Sequence, residues 1–462
     1  MKIVPPLDPG FVSAALWTRA YRRLVARDAS ARPFALVLMR PDGSVFRHEE
    51  RLLGASHPEA ARTLRHVERL LKFLLWQKGG SRVLVAGAPE VAVHLKNEYS
   101  PSGARAFDHA FMGGKVYGEP FVVEAVGFDA LPTARSDGLA IGRNLEGCRI
   151  GFDLGGSDRK AAALIDGKVV YSEEIAWDPY FQKDPAYHIE GVHDSLKRAA
   201  AHLPRVDAIG GSAAGVYVNN EVRVASLFRG VPADAFETHI RRMFFTLQAR
   251  WGGVPFEVVN DGEVTALAAS MSLGVNSVLG VSLGTSQAGG YVTPEGTITP
   301  WLNELAFAPI DYRLDGPRDE WSGDAGCGVQ YFSQQGVGRL AALAGFTFPA
   351  ETSLPERLVD VQNAMSAGDA RARVIYETIG VCFGHALAHY ADFYDLRHVL
   401  ILGRVTSGLG GEIILERARA VLHAEFPELA DRIALHTPDE NNKRHGQAVA
   451  AASLPAVVPI AC

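Results

Sequence analysis

The sequence predicts an α/β protein of two related lobes facing a cleft, with an extra N-terminal α/β region. Three observations carry that reading. The chain has 462 residues, more than one hydrophobic core ordinarily organises. From Arg149 onward, apolar strands alternate with helical segments, the pattern of an α/β architecture. The pattern also occurs twice: a strand meander followed by helices and strands starts at RIGFDLGG and restarts at SVLGVSLGTSQAGGYV. The expected domains are 1–147, an N-terminal extension without an assigned role, 148–275, the first lobe, and 276–462, the second.

Taken in order, residues 1–30 form a lead-in with one short helix. Residues 33–100 read as a hairpin (FALVLMRPDGSVFRHEERLL), an amphipathic helix near 58–78, the strand SRVLVAGA and a further helix. That hairpin, helix and strand have the makings of a degenerate third copy of the meander. Residues 101–147, which begin PSGARAFDHAFMGGKVYGEP, are rich in Gly, Pro and polar residues and predict long ordered loops or a linker. In the first lobe, RIGFDLGG, AAALIDG and KVVYSEEIAW form the meander, and Asp166-Gly167 supplies a hairpin turn that needs positive φ. A helix near 187–202, the strand VDAIGGSAAG, a helix near 233–250, the strand PFEVVND and a helix near 262–273 come next. The second lobe adds a helix near 370–392, the strand HVLILG and a helix near 410–424.

Composition excludes several classes. Hydrophobic residues make up 47% and charged residues 21%, ordinary for a globular protein. The net charge of -6 argues against a nucleic-acid surface, and Arg19, Arg22 and Arg23 read as a solvated helix face. The four cysteines, Cys148, Cys327, Cys382 and Cys462, are far apart and form no C-x-x-C pair, which fits neither a disulfide framework nor a complete zinc site. The opening MKIVPPLDPGFVSAALW lacks the pattern of a secretory signal, and no apolar run reaches the length of a membrane span. The expected location is the cytoplasm, with no membrane partner.

The chemistry concentrates on strand ends. An apolar strand ends at Asp153, and Leu154, Gly155, Gly156 and Ser157 turn the chain back. Glycines let backbone N–H groups approach a phosphate, Ser157 adds a hydroxyl, and Arg159 or Lys160 adds positive charge. Asp153 alone repels phosphate but fits one bridged by hydrated Mg²⁺. A plain hairpin in which Asp153 caps its own turn fits the same motif equally well. A second candidate phosphate loop carries Gly284, Thr285 and Ser286, followed by Gly289 and Gly290. Gly403, Gly408, Gly410 and Gly411 lie between a strand and a helix, where an adenosine could lie on bare backbone. No G-x-x-x-x-G-K-[ST] occurs, so a P-loop is excluded. Between the two phosphate loops, Asn260 and Asp261 end a strand at the start of a helix. Asp261 is either an N-cap or the base that accepts a proton from a substrate hydroxyl; the flanking loops favour the base.

Together these residues resemble the actin-like ATPase superfamily (ribonuclease H-like lobes) of sugar kinases, actin and heat-shock chaperones. Within it they most resemble the ROK family of repressors, open reading frames and kinases. The resemblance runs from about Arg149 to Leu454. It implies ATP and Mg²⁺, with phosphate motifs at FDLGGSDRK and SLGTSQAGGY. It implies Asp261 as catalytic base, with Asn260 and Glu304 as sugar ligands and GGSAAG, which contains Ser212, beside the sugar. The family's histidine after the glutamate falls on Phe307. Its C-x-C-G-x-x-G-C cluster is reduced to GDAGCGVQYFSQQ with Cys327 alone, so no zinc is expected. A further family glutamate falls on Gln330, and Arg404 replaces a glycine of the adenosine motif, either clamping the nucleotide or crowding it. The first 148 residues do not read as a winged helix-turn-helix.

The expectation is therefore ATP-dependent transfer of a phosphoryl group to a sugar-like hydroxyl, in a protein for which the family leaves a homodimer open. The alternative is a catalytically silent ligand-binding regulator on the same fold, and acyl-phosphate formation or nucleotide hydrolysis is a third reading. Other features have plainer readings. His385 and His389 share metal-ligand spacing, i and i+4, but read as a polar helix face, and Cys382 on the same helix as core. QYFSQQG lines a polar pocket or caps the next helix. Asp439, Glu440 and Asn441 read as cap and loop residues.

Overall fold

A computed structural model describes residues 1–135, 141–437 and 446–457. In chain order the N-terminal region contains α1 (Ala14–Arg27), β1 (Arg32–Met39), β2 (Val45–Leu52), α2 (Ala61–Lys78), β3 (Arg82–Ala86), α3 (Pro89–Glu98), α4 (Ala106–Ala110) and β4 (Val122–Ala125). Then come β5 (Cys148–Leu154), β6 (Asp158–Ile165), β7 (Lys168–Ala176), α5 (Pro185–Ala200), β8 (Ala208–Ala213), β9 (Val216–Val218), β10 (Glu221–Val224), the single turn α6 (Ala233–Ala235), α7 (Met243–Arg250), β11 (Phe256–Asn260) and α8 (Asp261–Leu273). The remainder holds β12 (Val278–Leu283), β13 (Gln287–Val292), α9 (Gln334–Leu343), α10 (Leu354–Ser366), α11 (Ala370–Tyr390), β14 (His398–Leu402), α12 (Leu409–Glu425), α13 (Pro427–Ala430), β15 (Ala434–His436) and α14 (Gly446–Ala452). Among the described residues no helix is long and apolar enough to cross a membrane.

Contacts divide the chain into two compact units that cut across the sequence order. One comprises Met1–Gly138, Val281–Gly289 and Trp301–Thr437, so the N-terminal region shares a unit with most of the C-terminal half. The other comprises Leu139–Gly280, Gly290–Pro300 and Pro438–Cys462.

The second of these units is built on a five-stranded sheet in the order β11-β8-β5-β6-β7. Strands β11, β8 and β5 run parallel, and β5, β6 and β7 form the antiparallel meander read from the sequence. Asp166 (φ 46°) and Gly167 (φ 76°) make the expected tight turn. Side-chain alternation gives the sheet two different faces. Ile150, Phe152, Ile209 and Ala213 enter the main core with Phe244, Leu247 and Phe256. On the opposite face, Gly151 and Gly210 lie in register. A Cβ on Gly151 would overlap the Ala448 carbonyl, and one on Gly210 the Ala451 carbonyl. The two glycines therefore let the backbone of α14 rest on the strands. Ala448 and Ala452 complete that contact with Ala162 and Leu164.

The other unit contains a four-stranded sheet in the order β2-β1-β3-β4. Here β1 pairs antiparallel with both β2 and β3. In the meander of the other unit, the strand at the corresponding place, β5, pairs parallel with β8. The N-terminal region is thus not a third copy of the repeat.

Helices α2 and α4 meet the 319–327 segment through a buried cluster of six charges. Arg69 binds Glu68 (2.7 Å) and Asp324 (3.3 Å); Lys72 binds Asp108 (2.9 Å) and Asp324 (3.2 Å). Arg105 binds Glu68 (2.6 Å) and also Asp324. Trp76 Nε1 donates to Asp108 (2.6 Å), and Cys327 Sγ lies 3.6 Å from Asp324. Burial pushes the Asp324 carboxyl up, but Lys72 and Arg69 hold it below its ordinary value. Three acids match three bases, so the cluster survives desolvation only as a set.

The structure departs from the sequence reading in three places. Residues 106–125, expected as loop, form α4, a π-helical turn (Phe111–Tyr117) and β4; Asp108, Phe111, Met112 and Val116 are buried there. The glycine content misled: Gly113 is needed because a Cβ would sit 2.8 Å from the Phe121 nitrogen. The helix near 233–250 breaks into α6, a π turn (Phe236–Ile240) and α7, because the Arg241 carbonyl accepts from Val222 N (3.0 Å) of β10 instead of continuing the helix. His385 and His389 form no polar face: each is 1% exposed, and burial lowers both imidazoles, His389 to about 3. Cys382 is core, and Ser333 of QYFSQQG caps α9 by accepting from Gln335 N (3.0 Å).

Removing one charge of the buried cluster strands its partners. Asp324→Ala should destabilise the protein by about 3–5 kcal/mol. Glu124→Ala, which breaks the exposed Arg82–Glu124 pair (2.7 Å), should cost less than about 1 kcal/mol. Denaturant titration of the two variants checks the contrast.

Candidate functional site

Parallel strands β5, β8 and β11 deliver their carboxyl ends side by side, the place where open α/β sheets bind ligands. Asp153 pairs in register with Ser212, and Ala213 with Asn260. Asp153 and Ser212 stand two residues beyond Gly151 and Gly210, so they share the face that carries α14. Ser212 is wholly buried, and its hydroxyl donates to Asp153 Oδ1 at 2.6 Å. Its hydroxyl, expected beside the sugar, is committed to the neighbouring carboxylate. Burial raises the Asp153 carboxyl, while Ser212 and Lys160 oppose the rise.

Helix α8 begins where β11 ends. Asn260 is its N-cap: Oδ1 accepts from Gly262 N (2.7 Å), and Nδ2 donates to the Gly215 carbonyl (2.7 Å). Both ends of its amide are therefore used in holding the turn. Asp261 occupies the first helical position and is only partly exposed. A Cβ on Gly290 would overlap the Gly262 carbonyl, so the helix start lies directly on the β13 backbone. Desolvation, then the charge of Asp153, raises the Asp261 carboxyl to about 6. The helix N-terminus opposes this rise without overcoming it. A carboxylate with that pKa is half ionised near pH 6 and fully available as a base at neutral pH.

The loop after β5 is a closed hairpin. Gly155 N donates to the Asp158 carbonyl (3.0 Å). Ser157 Oγ donates to Asp158 Oδ2 (2.8 Å), and Lys160 Nζ lies 3.2 Å from Asp158 Oδ1. Three of the donors expected to bind phosphate are thus engaged by one residue that the sequence reading passed over. Gly156 lies under the Tyr180 ring, and a Cβ there would push the Tyr180 hydroxyl aside. Arg159 is turned away, bound to Asp194 (3.1 Å) and Ser195 of α5.

The remaining expected residues belong to the other unit. Thr285 and Ser286 are exposed at the tip of the β12–β13 turn, closed by Gly284 N donating to the Ser286 carbonyl (3.0 Å). Gln334 N at the start of α9 donates to the Gly284 carbonyl (2.9 Å). Gly403 (φ 97°) comes directly after β14, and a Cβ there would lie 2.9 Å from Leu283 N, so the second loop and the adenosine motif meet backbone to backbone. Arg404 is exposed, and its carbonyl accepts from Gln362 (2.7 Å). Glu304 donates its N–H to the Trp76 carbonyl (2.9 Å), on the same turn as Phe307. Phe307 packs among Trp76, Phe107 and Trp321, with ring centroids 4.3, 5.7 and 5.4 Å away. Gln330 is buried, and its amide donates to Gln335 (2.6 Å). Asp439, Glu440, Asn441 and Cys462 lie outside the described residues.

Besides Asp158, one residue of the site escaped the sequence reading. Tyr217 on β9 donates its hydroxyl to the Ala214 carbonyl (3.2 Å), and burial, then the charge of Asp261, raises its phenol. An aromatic two residues past Gly215 was the available signal. Asp158 was equally visible as an acid inside a run otherwise suited to anions.

A sheet of this order, three parallel strands continued by an antiparallel meander, is that of the actin-like ATPase fold. Solved ROK proteins share it. A ROK hexokinase from Thermus thermophilus aligns with a TM-score of 0.52 at 20% identity, over 66% of this chain and 96% of that one. A ROK glucokinase from Streptomyces griseus, solved with glucose and AMPPNP, gives 0.50 at 21%, over 66% and 98%. A ROK transcriptional regulator, described as a homologue of the E. coli MLC protein, gives 0.54 at 18%, over 67% and 78%. No protein-family model matches the chain, and no curated protein matches it significantly. At these identities the likeness establishes the fold.

The raised Asp261 carboxyl has a stability signature. Its folded value of about 6 exceeds the ordinary 3.8, so the folded state holds the proton more tightly. Stability contributed by this group is therefore present below the ordinary value and lost as pH rises toward the folded one. Asp261→Asn should stabilise the protein by about 1–3 kcal/mol at pH 7 relative to its effect at acid pH. Thermal unfolding of both proteins across the pH range measures this.

Proposed function

We propose that the protein transfers the terminal phosphoryl group of ATP to a hydroxyl of a sugar or sugar-like alcohol. The observation that carries the reading is that Asp153, at the end of β5, and Asp261, just past the end of β11, stand at the same edge of the sheet on either side of β8, close enough for the Asp153 charge to add to the desolvation that raises Asp261 to about 6. Beyond burial, Asp153 raises Asp261, Asp158 raises Asp153, and Lys160 offsets part of this, so the recess holds more negative than positive charge. Such a recess suits Mg²⁺, which keeps most of its water and takes one or two protein carboxylates. Asp153, oriented by Ser212, would hold that cation, which when bound neutralises charge on the transferring phosphoryl group. Among the described residues no group of three or more His, Cys, Asp and Glu side chains is arranged to hold a metal, as a dedicated protein cage would require.

In this reading Asp261 accepts the proton of the attacking hydroxyl. Asn260 holds the turn that aims Asp261, and Tyr217 walls the recess. Thr285 and Ser286 supply hydroxyl donors to the phosphates, with Arg404 beside the nucleotide. Glu304 binds acceptor hydroxyls. Solved neighbours described as a hexokinase and a glucokinase support the reaction class.

The second reading, a silent ligand-binding regulator, is favoured by one observation: Asp158 engages the donors of the first loop. A thermal shift with Mg-ATP separates the two, since a regulator that has lost the nucleotide does not respond.

The deciding assay is Mg-ATP-dependent phosphorylation across hexoses, N-acetylated amino sugars and sugar acids. Asp261→Asn should lower kcat by about 10²–10⁴-fold with nucleotide binding retained. In the wild type kcat/KM should fall as pH drops through about 6, where Asp261 takes up a proton. An Asp261→Asn enzyme at the wild-type rate would remove Asp261 as the base.

A further inference from the structure

The acid inside the first phosphate loop limits what the loop accepts. We propose that Asp158 is an internal phosphate substitute: its carboxylate fills the anion position of the loop, so nucleotide enters only as a divalent-metal complex and with Asp158 displaced. The proposal rests on the kinase reading and concerns the regulation of the same site.

Two side-chain contacts carry it. The hydroxyl of Ser157 and the ammonium of Lys160 are side-chain donors this hairpin offers an anion, and they are directed at separate oxygens of the Asp158 carboxylate (2.8 and 3.2 Å). Bound phosphate oxygens would take the same places. The Gly155 N–H closes the hairpin on the Asp158 carbonyl and stays in place when the carboxylate moves. Strand geometry explains the arrangement. Asp158 and Lys160 are two residues apart on β6 and share a face, and Asp153 is paired with Lys160 across β5. Lys160 therefore lies between two acids, and although burial works against its charge, Asp158 and then Asp153 raise its pKa.

Charge balance sets the direction of the effect. Among the described residues, the charges that act on Asp153 are Lys160, which lowers it, and Asp158, which raises it, while Asp153 in turn raises Asp261. A free polyphosphate adds negative charge to a site already in excess, whereas its metal complex brings compensating charge. Asp158 is partly solvent-accessible, its side chain 24% exposed, and is the first residue of β6 beside the turn, so its side chain can swing out while the backbone stays paired.

The test is nucleotide binding by the full chain, measured by titration calorimetry with ATP in excess Mg²⁺ and with ATP in EDTA. Asp158→Asn keeps the size and hydrogen-bonding capacity of the turn residue and removes its charge; Asp158→Ala removes both. Unfolding at the wild-type midpoint verifies each fold. Wild type should bind Mg-ATP and bind metal-free ATP far more weakly, and both variants should bind metal-free ATP about tenfold or more tighter than wild type. Adding Lys160→Met to Asp158→Asn should abolish that gain. Equal binding by wild type and both variants in the two conditions would overturn the proposal and make Asp158 a turn residue only. Binding by the variants but not by wild type would uphold it and assign the wild type to the silent-regulator reading. An absence of nucleotide binding in every protein and condition would instead remove the kinase reading itself, and the proposal with it.

Discussion

Backbone-to-backbone contact between α14 and strands β5 and β8 is the constraint around which the unit with the five-stranded sheet is arranged. It requires that positions 151 and 210 carry no side chain. Because strands alternate, the same requirement fixes the role of the residues two positions further along each strand. Asp153 and Ser212 emerge on the helix-bearing face beyond the glycines, while Phe152 and Ile209 are driven into the opposite core. A one-residue slip of either strand would bury the acid among phenyl rings and bring a large side chain under α14. Packing and chemistry are thereby locked to a single register.

The strand ends also show how the fold tolerates an unfavourable site. Burying two carboxylates near each other is costly, and the sheet offsets only part of that cost. Ser212 donates to one acid, and the first turn of α8 donates to the other through Gly262 (3.0 Å). What remains is expressed as a raised Asp261 carboxyl, a property useful for accepting a proton and adverse to stability. The two compact units differ in this respect. In the N-terminal unit six charges are buried with full mutual compensation, whereas at the strand ends compensation is left incomplete.

The sequence revealed the parts of this arrangement that depend on local pattern. The meander, the Asp166-Gly167 turn and helices α5, α8 and α11 were legible from alternation, turn chemistry and helical period, and with them the order of Asp153, Ser212 and Asp261 along strand ends. What stayed hidden depends on partners distant in the chain. Residues 106–125 looked like linker because nothing local shows that Asp108 will be buried against Lys72 and Trp76. The same holds for His389, whose burial is set by Phe73, Tyr312 and Phe393. The reach of Asp158 to three donors could not be read either, since it depends on how tightly the hairpin closes. Ser212 and Gln330 were read as ligand contacts by position alone, and their hydroxyl and amide turn to Asp153 and Gln335.

The six-charge cluster also has a bearing on time. Arg69, Lys72 and Arg105 are made together with Glu68 and Asp108, one acid short of balance. The missing partner, Asp324, comes more than two hundred residues after Asp108. At ordinary ribosomal rates that interval is roughly ten to forty seconds. During it the cluster carries one unmatched positive charge, and burying that charge in its final place waits on Asp324. Completion of this packing is thereby tied to the appearance of a single late aspartate.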